Sequence, residues 1–258
     1  NGKYKYSESW FYLDLFSGSG ATKVRDKYCI IGSPIVSILK GYKYIKKRNE
    51  CVRFTKWFLG DKDVRKCKAL EQRVEAALKQ INQEHCVIPR SDIHINCGNC
   101  NDNITLCLEE IKKHKKFSIL AFIDPEGFTE IEWATFKKLF EMKYVDMIFI
   151  YSTSGCKRGL TEENSSRCMP PHSHAGLTIG QMKKLSCDTL TENFIHEMLL
   201  ELKRKQIWYE SLPIFTEKEN ELYRIIWASS SKGAANSIES VLKYLNKLKN
   251  EDLLNTLE

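Results

Sequence analysis

Short apolar runs alternate along the chain with segments in which apolar residues recur at every third or fourth position. The apolar runs predict strands that are buried on both faces, and the periodic segments predict helices that cover them. Five strands are predicted first, at 10–16, 54–61, 93–97, 117–124 and 145–152. An antiparallel hairpin at 207–229 and a terminal helix around 238–248 are predicted to follow. This pattern predicts an α/β fold with a mostly parallel sheet and a C-terminal antiparallel hairpin, in one domain that spans 1–258.

The segment 153–188 departs from this pattern. It contains two adjacent prolines and many serines, and it shows little periodicity. Loops of this length inside compact domains usually carry function or are disordered. We therefore expect a long inserted loop here.

Composition narrows the class of protein. The chain has 258 residues, 42% of them hydrophobic, and a net charge of +7. The apolar fraction excludes collagen-like and wholly disordered classes. No apolar run approaches the ~20 residues that cross a bilayer, so no membrane contact is expected. The positive charge favours nucleic acid as a partner. It is concentrated in a basic segment, 40–53, which contains Lys40, Lys43, Lys46, Lys47, Arg48 and Arg53.

Ten cysteines are scattered along the chain, and the first residues show no apolar leader of a secretion signal. Cysteines in such a chain are expected to be free thiols in a reducing compartment. The sequence therefore predicts a cytoplasmic protein without a disulfide framework.

The strongest local motif follows the first predicted strand directly and reads Asp14-Leu15-Phe16-Ser17-Gly18-Ser19-Gly20. Parallel sheets bind ligands at this end of their strands, and glycines there let the backbone approach the ligand. The third glycine of a dinucleotide fingerprint would stand at Lys23, which argues against NAD or FAD. An acid before the glycines suits a ligand with an amino group, such as S-adenosylmethionine. An ordinary glycine-rich turn explains the motif equally well.

Two further polar positions end predicted strands. Asp61 closes the second, where nucleoside-binding α/β domains place a carboxylate on the ribose hydroxyls. It follows Gly20 by 41 residues, twice the usual spacing of about 20, so an insertion is expected around 22–44, and Asp63 is a competing candidate. Asn99 follows the third strand and could bond an adenine edge, although asparagine is equally common in plain turns.

A fourth polar feature, Asp124-Pro125, ends the fourth strand. Proline cannot donate to a sheet ladder, so the pair marks the strand end. A carboxylate at this crevice can act as a base or orient a substrate amine. We therefore take Asp124 and Pro125 as the catalytic candidates.

Taken in order, these motifs resemble the three-Cys-motif partner family, a bacterial and archaeal group with a class I methyltransferase-like domain. The resemblance spans roughly 10–230. It is carried by residues 12–20, then Gly32-Ser33-Pro34, Asp61-Lys62-Asp63, Ala69-Leu70-Glu71, Gly98-Asn99-Cys100-Asn101, residues 122–127 with Trp133, and Val145-Asp146.

The resemblance implies a Rossmann-like class I methyltransferase fold and S-adenosylmethionine as cofactor. Asp14, Gly18 and Gly20 would hold the methionine moiety, Asp61 the ribose and Asn99 the adenine. Phe16, Ser17 and Cys100 complete the cofactor-binding candidates. The chain departs from the family pattern in two places: Asn99 stands where an aspartate is usual, and Glu126 stands where an apolar residue is usual. The family is named for a separate partner with a three-cysteine, radical-SAM-like motif.

Other chemistries remain open. Base amino-methyltransferases resemble one another in an Asp/Asn-Pro-Pro-Tyr/Phe motif, of which Asp124-Pro125 supplies only the first half. Cytosine C5 chemistry would need a cysteine nucleophile, for which Cys156 is nearest. Cys97 and Cys100 form half of a zinc site, and Cys168, His172 and His174 could add ligands, although no metal is predicted.

Two functions follow from these observations. The first is an S-adenosylmethionine-dependent methyltransferase that acts on nucleic acid. The second is a non-catalytic scaffold that works with a three-Cys-motif protein.

Overall fold

The structure is a computed structural model. It describes residues 8–24, 28–45, 50–81, 87–142, 144–169, 177–201, 208–215, 220–229 and 240. The terminal helix predicted around 238–248 lies outside the described residues.

The five predicted parallel strands are present and are separated by helices, with further elements before the second of them and after the fifth. The strands are β1 (Ser9–Asp14), β2 (Ala21–Val24), β3 (Tyr28–Ile31), β4 (Tyr42–Ile45), β5 (Glu50–Arg53), β6 (Lys56–Asp61), β7 (Ile93–Cys97), β8 (Phe117–Ile123), β9 (Val145–Tyr151), β10 (Trp208–Phe215) and β11 (Glu221–Ser229). The helices are α1 (Ser33–Lys40), α2 (Val64–Ile81), α3 (Cys100–Lys112), α4 (Trp133–Glu141), α5 (Thr153–Gly159), α6 (Glu162–Cys168), α7 (Ile179–Met182) and α8 (Cys187–Glu201).

One seven-stranded sheet organises the molecule, in the order β10-β11-β9-β8-β1-β6-β7. β1, β6, β7, β8 and β9 are parallel, and β11 runs antiparallel to both β9 and β10. The chain leaves β1 toward one edge and returns through β8 toward the other, so β1 lies at the switch point of the sheet. This order confirms the predicted fold class, a Rossmann-like class I methyltransferase fold with a C-terminal antiparallel pair.

Both faces of the sheet are covered. Successive side chains of a strand point to opposite faces, and in β1 Tyr12 packs with α1 and α2 while Phe11 and Leu13 pack with α3, α4 and α8. The apolar stripe of α2 is buried as predicted, at Cys67, Leu70, Val74, Ala77, Leu78 and Ile81. This two-sided burial explains why the parallel strands are nearly continuous in apolar character.

The chain between β1 and β6 forms additional elements. Two antiparallel hairpins, β2–β3 and β4–β5, lie on either side of α1 in the chain. Each hairpin forms its own two-stranded sheet. They account for the long spacing between Gly20 and Asp61.

The segment 153–188, predicted as a loop, is largely helical in its described part. It contains α5, α6, α7 and the start of α8. Thr161 and Thr178 cap α6 and α7 by accepting hydrogen bonds from backbone N–H groups. Each of these helices is too short to show a 3.6-residue period, and serine and threonine here act as caps.

Among the described residues, eight cysteines are free thiols and Cys51 is disulfide-bonded, so the expectation that all cysteines are free is wrong at that position. Within the described part of the chain, no helix has the length and apolar character that a bilayer crossing requires.

A buried ionic network joins the antiparallel part of the sheet to the helices beside it. Arg224 on β11 donates twice to the Glu221 carboxylate, at 2.8 and 2.7 Å, and lies 2.5 Å from Asp188 on α8. Thr153 of α5 donates to the same Glu221 at 2.9 Å. The Arg224 side chain is only 7% exposed. Burial favours the neutral form of Glu221, but the bonds from Arg224 and Thr153 outweigh it and lower the pKa of this carboxyl.

We expect Arg224→Leu to lower the free energy of unfolding by about 3 kcal/mol, because Glu221 would stay buried without its cation. Arg65→Leu is the matched control: Arg65 is 91% exposed beside Asp63, and exposed pairs contribute under about 1 kcal/mol. Urea denaturation measures both. Equal losses in the two variants would contradict a stabilising role for the buried network.

Candidate functional site

A cavity of about 640 Å³ opens at the carboxyl ends of β1, β6, β7 and β8. Seven predicted site residues line it, namely Phe16, Gly18, Asp61, Asn99, Cys100, Asp124 and Pro125. The remaining three, Asp14, Ser17 and Gly20, are buried and do not line it. The structure therefore brings four chain segments together at the edge where open α/β sheets bind ligands.

Asp14 is fully buried and does not reach the cavity. Its carboxylate accepts hydrogen bonds from the Ser33 hydroxyl at 2.7 Å, the Phe16 backbone N–H at 3.2 Å and the Tyr12 hydroxyl at 3.3 Å. The predicted contact with a ligand amino group is therefore not available to this side chain. Asp14 instead holds the turn in place.

Burial raises the pKa of Asp14 to about 6, while the three donated hydrogen bonds favour the charged form and limit the rise. The same environment raises the pKa of Tyr12 well above its ordinary value, through burial and the nearby Asp14 charge. The turn is thus built around a carboxyl group that titrates near neutral pH.

Ser17 and Gly20 fasten the turn to the neighbouring elements. The Ser17 hydroxyl donates to the Asp14 carbonyl at 2.7 Å and accepts from the Gly60 N–H at 3.2 Å. Gly20 has a φ of +78°, and a Cβ there would lie 2.9 Å from Leu70 Cδ1. Gly20 is therefore required by backbone conformation and by packing.

Gly18 has the opposite surroundings. Its φ is +56°, and a Cβ built there would meet nothing within 4 Å. Gly18 lines the cavity, so the missing side chain leaves open space where a ligand can approach the backbone.

Asp61 ends β6 and is nearly buried in the cavity wall. Its Oδ1 accepts the Asp63 backbone N–H at 2.9 Å, and its Oδ2 lies 3.9 Å from Lys66 Nζ. No described residue donates a hydrogen bond to Oδ2, which leaves this oxygen available to a ligand. Asp63, the competing candidate, does not line the cavity and pairs with Arg65 at 2.8 Å, which lowers its pKa to about 2.

Asn99 caps α3, and its side-chain oxygen accepts the backbone N–H and side-chain amide of Asn101, both at 2.9 Å. Only its amide nitrogen stays available. Asn101 in turn connects α3 to the turn after β8: its Nδ2 donates to the Glu130 carbonyl at 3.0 Å, and its Oδ1 accepts from Thr135 at 2.6 Å. The sequence did not indicate this role, because it depends on groups about 30 residues away.

Asp124 is exposed toward the cavity, and no described residue donates a hydrogen bond to its carboxylate. The cavity walls withdraw it in part from bulk water, and this desolvation raises its pKa. Asp124 is therefore a carboxylate with a raised basicity and free hydrogen-bonding capacity, which is what a general base requires.

Lys62 and Lys66 line the cavity but were not among the predicted site residues. Lysines at the start of a helix such as α2 are equally typical of a solvated helix face. Lys62 pairs with Glu130 and Lys66 pairs with Glu126. These two ion pairs connect the start of α2 to the turn between β8 and α4. They neutralise four of the charges that line the cavity.

The cysteines near the site do not provide a nucleophile. Cys100 is buried, and burial raises the pKa of its thiol to about 12. Cys156 does not line the cavity, its sulfur accepts a hydrogen bond from the Tyr151 hydroxyl, and burial raises its pKa to about 11. Cytosine C5 chemistry through Cys156 is therefore not supported. The described residues contain no cluster of three potential metal ligands, and His172 and His174 lie outside them.

Residues 51–53, at the end of the basic segment 40–53, lie at the other end of the sheet from the cavity. β5 leads into the start of β6, where the Thr55 N–H donates to the Trp10 carbonyl at 2.6 Å, and Arg53 pairs with Asp92 at 2.8 Å just before β7. These contacts are at the amino ends of the parallel strands. This end of the basic segment is thus separated from the cavity by the length of the strands.

No protein-family model matches the sequence, and no curated protein matches it. Solved structures of similar fold include an O-methyltransferase from Bacillus cereus in complex with SAH, at 10% identity, covering 87% of this chain and 74% of that one, with a TM-score of 0.41. A precorrin 8w decarboxylase from Methanobacterium thermoautotrophicum is 10% identical, covers 89% of this chain and 86% of its own, and has a TM-score of 0.38. A SAM-dependent methyltransferase from Methanosarcina mazei is 12% identical, covers 88% of this chain and 95% of its own, and has a TM-score of 0.39. The class of the fold rests on the strand order described above.

We expect Asp14→Asn to change how stability depends on pH. The native pKa of about 6 lies above the ordinary value near 3.9, so the native state retains a proton that the unfolded chain loses, and stability falls as pH rises between these values. The difference in unfolding free energy between wild type and Asp14→Asn should change by about 3 kcal/mol from pH 4 to pH 7. Urea denaturation across this range tests it, and a constant difference would contradict the raised pKa.

Proposed function

We propose that this protein is an S-adenosylmethionine-dependent methyltransferase and that its acceptor is nucleic acid. The observation that carries the proposal is a pair of available carboxylates, Asp61 and Asp124, in one cavity at the switch point of a class I methyltransferase fold. They flank the Gly18 turn, because β6 and β8 are the two neighbours of β1. The cavity has a volume in the range of small-molecule sites.

The residues present fit this cofactor. Gly18 leaves open space for close approach to the backbone, and the free Oδ2 of Asp61 suits the ribose hydroxyls. Asn99 would contact the adenine through its amide nitrogen, since its oxygen caps α3. Asp14 would act as a positioning residue for the turn. Its burial removes it from the set that touches the methionine moiety.

Bound S-adenosylmethionine would supply a methyl group on an electrophilic sulfonium. The chain's own contribution would be to orient the acceptor and to receive its proton. Asp124 suits this role because its carboxylate is unpaired and its raised pKa makes it a better proton acceptor than an ordinary aspartate. Pro125 follows it without an N–H, so no donor from its own backbone competes for the acceptor.

Nucleic acid is proposed as the acceptor on the basis of the net charge of +7. Membership of the three-Cys-motif partner family, a partner protein of that kind and a cytoplasmic location stay predictions from the sequence.

We expect Asp61→Asn to weaken S-adenosylmethionine binding by about tenfold, since a hydrogen bond to a charged group contributes about 1.5–3 kcal/mol. Asp63→Asn is the matched control, two residues away and outside the cavity, and should change affinity by less than about twofold. Isothermal titration calorimetry measures both. No binding by the wild type, or equal losses in both variants, would refute the cofactor assignment.

We expect Asp124→Asn to lower kcat by about 100-fold or more, which is the usual contribution of a general base, and to leave S-adenosylmethionine affinity unchanged. Methyl transfer to tRNA, rRNA and DNA, followed with a radiolabelled methyl group, identifies the acceptor and gives kcat. Asp102→Asn serves as the control, because Asp102 is exposed on α3 and does not line the cavity. An unchanged kcat in Asp124→Asn would remove Asp124 from the reaction.

A further inference from the structure

Arg167 is a cavity-lining cation with an unusual environment. It lies in the last turn of α6, and its Nη2 donates to the Thr129 carbonyl at a long 3.4 Å. Its pKa is raised by a hydrogen bond with the Cys168 side chain and by the more distant charges of Glu132 and Glu163, but no described carboxylate forms an ion pair with its guanidinium. Lys62 and Lys66, which line the same cavity, each have a glutamate partner. Arg167 therefore retains its charge for a ligand.

The position of Arg167 is supported by packing on either side of it. Cys168 and Met169, the next two residues, are buried in the main core. Cys168 also donates from its thiol to the Thr129 carbonyl at 3.7 Å. The helix end is thus docked against the turn after β8, although the Arg167 side chain itself is exposed.

This turn is continuous with the strand end that carries Asp124. Asp124, Pro125 and Thr129 line the cavity together with Arg167, and β8, which carries Asp124, lies on the other side of β1 from β6, which carries Asp61. A group bound by Arg167 would therefore sit beside the proposed base and outside the proposed cofactor half. Arg53 of the basic segment lies instead at the amino ends of the strands, where it pairs with Asp92.

We propose that Arg167 binds a phosphate of the nucleic-acid acceptor and so positions the target nucleotide next to Asp124; this inference rests on the function proposed above. A guanidinium suits phosphate because its parallel N–H donors match two phosphate oxygens. Contacts to phosphate set register and orientation, which is what a base presented to Asp124 requires.

The test uses a single-stranded RNA of about 12 nucleotides with a fluorescent label, and fluorescence anisotropy with the full chain. Arg167→Gln should weaken binding about tenfold and reduce the slope of log affinity against log salt by about one. Arg167→Lys should recover part of the loss. Arg158→Gln is the matched control, because Arg158 is exposed on the neighbouring helix α5, has no described carboxylate partner and does not line the cavity. It should change affinity by less than about twofold.

Calorimetry with S-adenosylmethionine separates the two proposals. Arg167→Gln should bind this cofactor as the wild type does. If the wild type binds RNA in an Arg167-dependent way but does not bind S-adenosylmethionine, the phosphate site holds and the methyltransferase proposal fails. If Arg167→Gln binds RNA as tightly as the wild type, the phosphate site is refuted. It is also refuted if Arg167→Gln and the control Arg158→Gln weaken RNA binding by the same factor.

A competing source of phosphate is a free nucleotide. Cytidine and adenosine 5′-monophosphates are titrated against the wild type and Arg167→Gln. Binding of these mononucleotides that depends on Arg167, without Arg167-dependent binding of RNA, would overturn the assignment to nucleic acid.

Discussion

The buried carboxylate of Asp14 is the constraint on which the site depends. It sits at the end of β1, the middle strand of the five parallel ones, with no exposed surface. An aspartate in this position must be hydrogen-bonded to be tolerated, and its donors come from β1 itself, from the following turn and from the start of α1. The turn that displays Gly18 is therefore held by a carboxylate that does not line the cavity. The distinction matters, because a loss of function on mutating Asp14 would report on the turn and not on direct binding.

Charge is distributed around the cavity in a way that follows from its geometry. Lysines on one wall and glutamates on the other neutralise each other across the opening, in the pairs Lys62–Glu130 and Lys66–Glu126. Asp61, Asp124 and Arg167 retain hydrogen-bonding or charge capacity that the described residues do not satisfy. Exposed ion pairs contribute little to stability, so the lysine–glutamate pairs are better understood as setting which charges a ligand meets.

Much of the fold follows from the sequence, because the parallel strands are buried on both faces and their apolar runs are distinct. Asp61, Asn99 and Asp124 were found for the same reason: each directly follows such a run, and parallel strands bring their carboxyl ends to one edge. The burial of Asp14 was not predictable, since it depends on Ser33, which reaches it only after the β2–β3 hairpin. Arg167 was missed because α6 spans seven residues, too few for a helical period to distinguish it from a loop.

The site has two parts, which differ in how far the sequence predicts their residues. The part next to Gly18, Asp61 and Asn99 is formed by turns that directly follow sheet strands, and its residues can be found by counting from the strand ends. The part next to Asp124 is completed by α6, whose position depends on the core contacts of Cys168 and Met169 and on tertiary bonds to the turn after β8. Under the proposed function, the sheet edge would constrain where the nucleoside lies, whereas a short docked helix could vary without disturbing the sheet. Differences in acceptor among proteins of this fold should therefore be sought in segments that correspond to 153–169, even though such segments resemble loops in sequence.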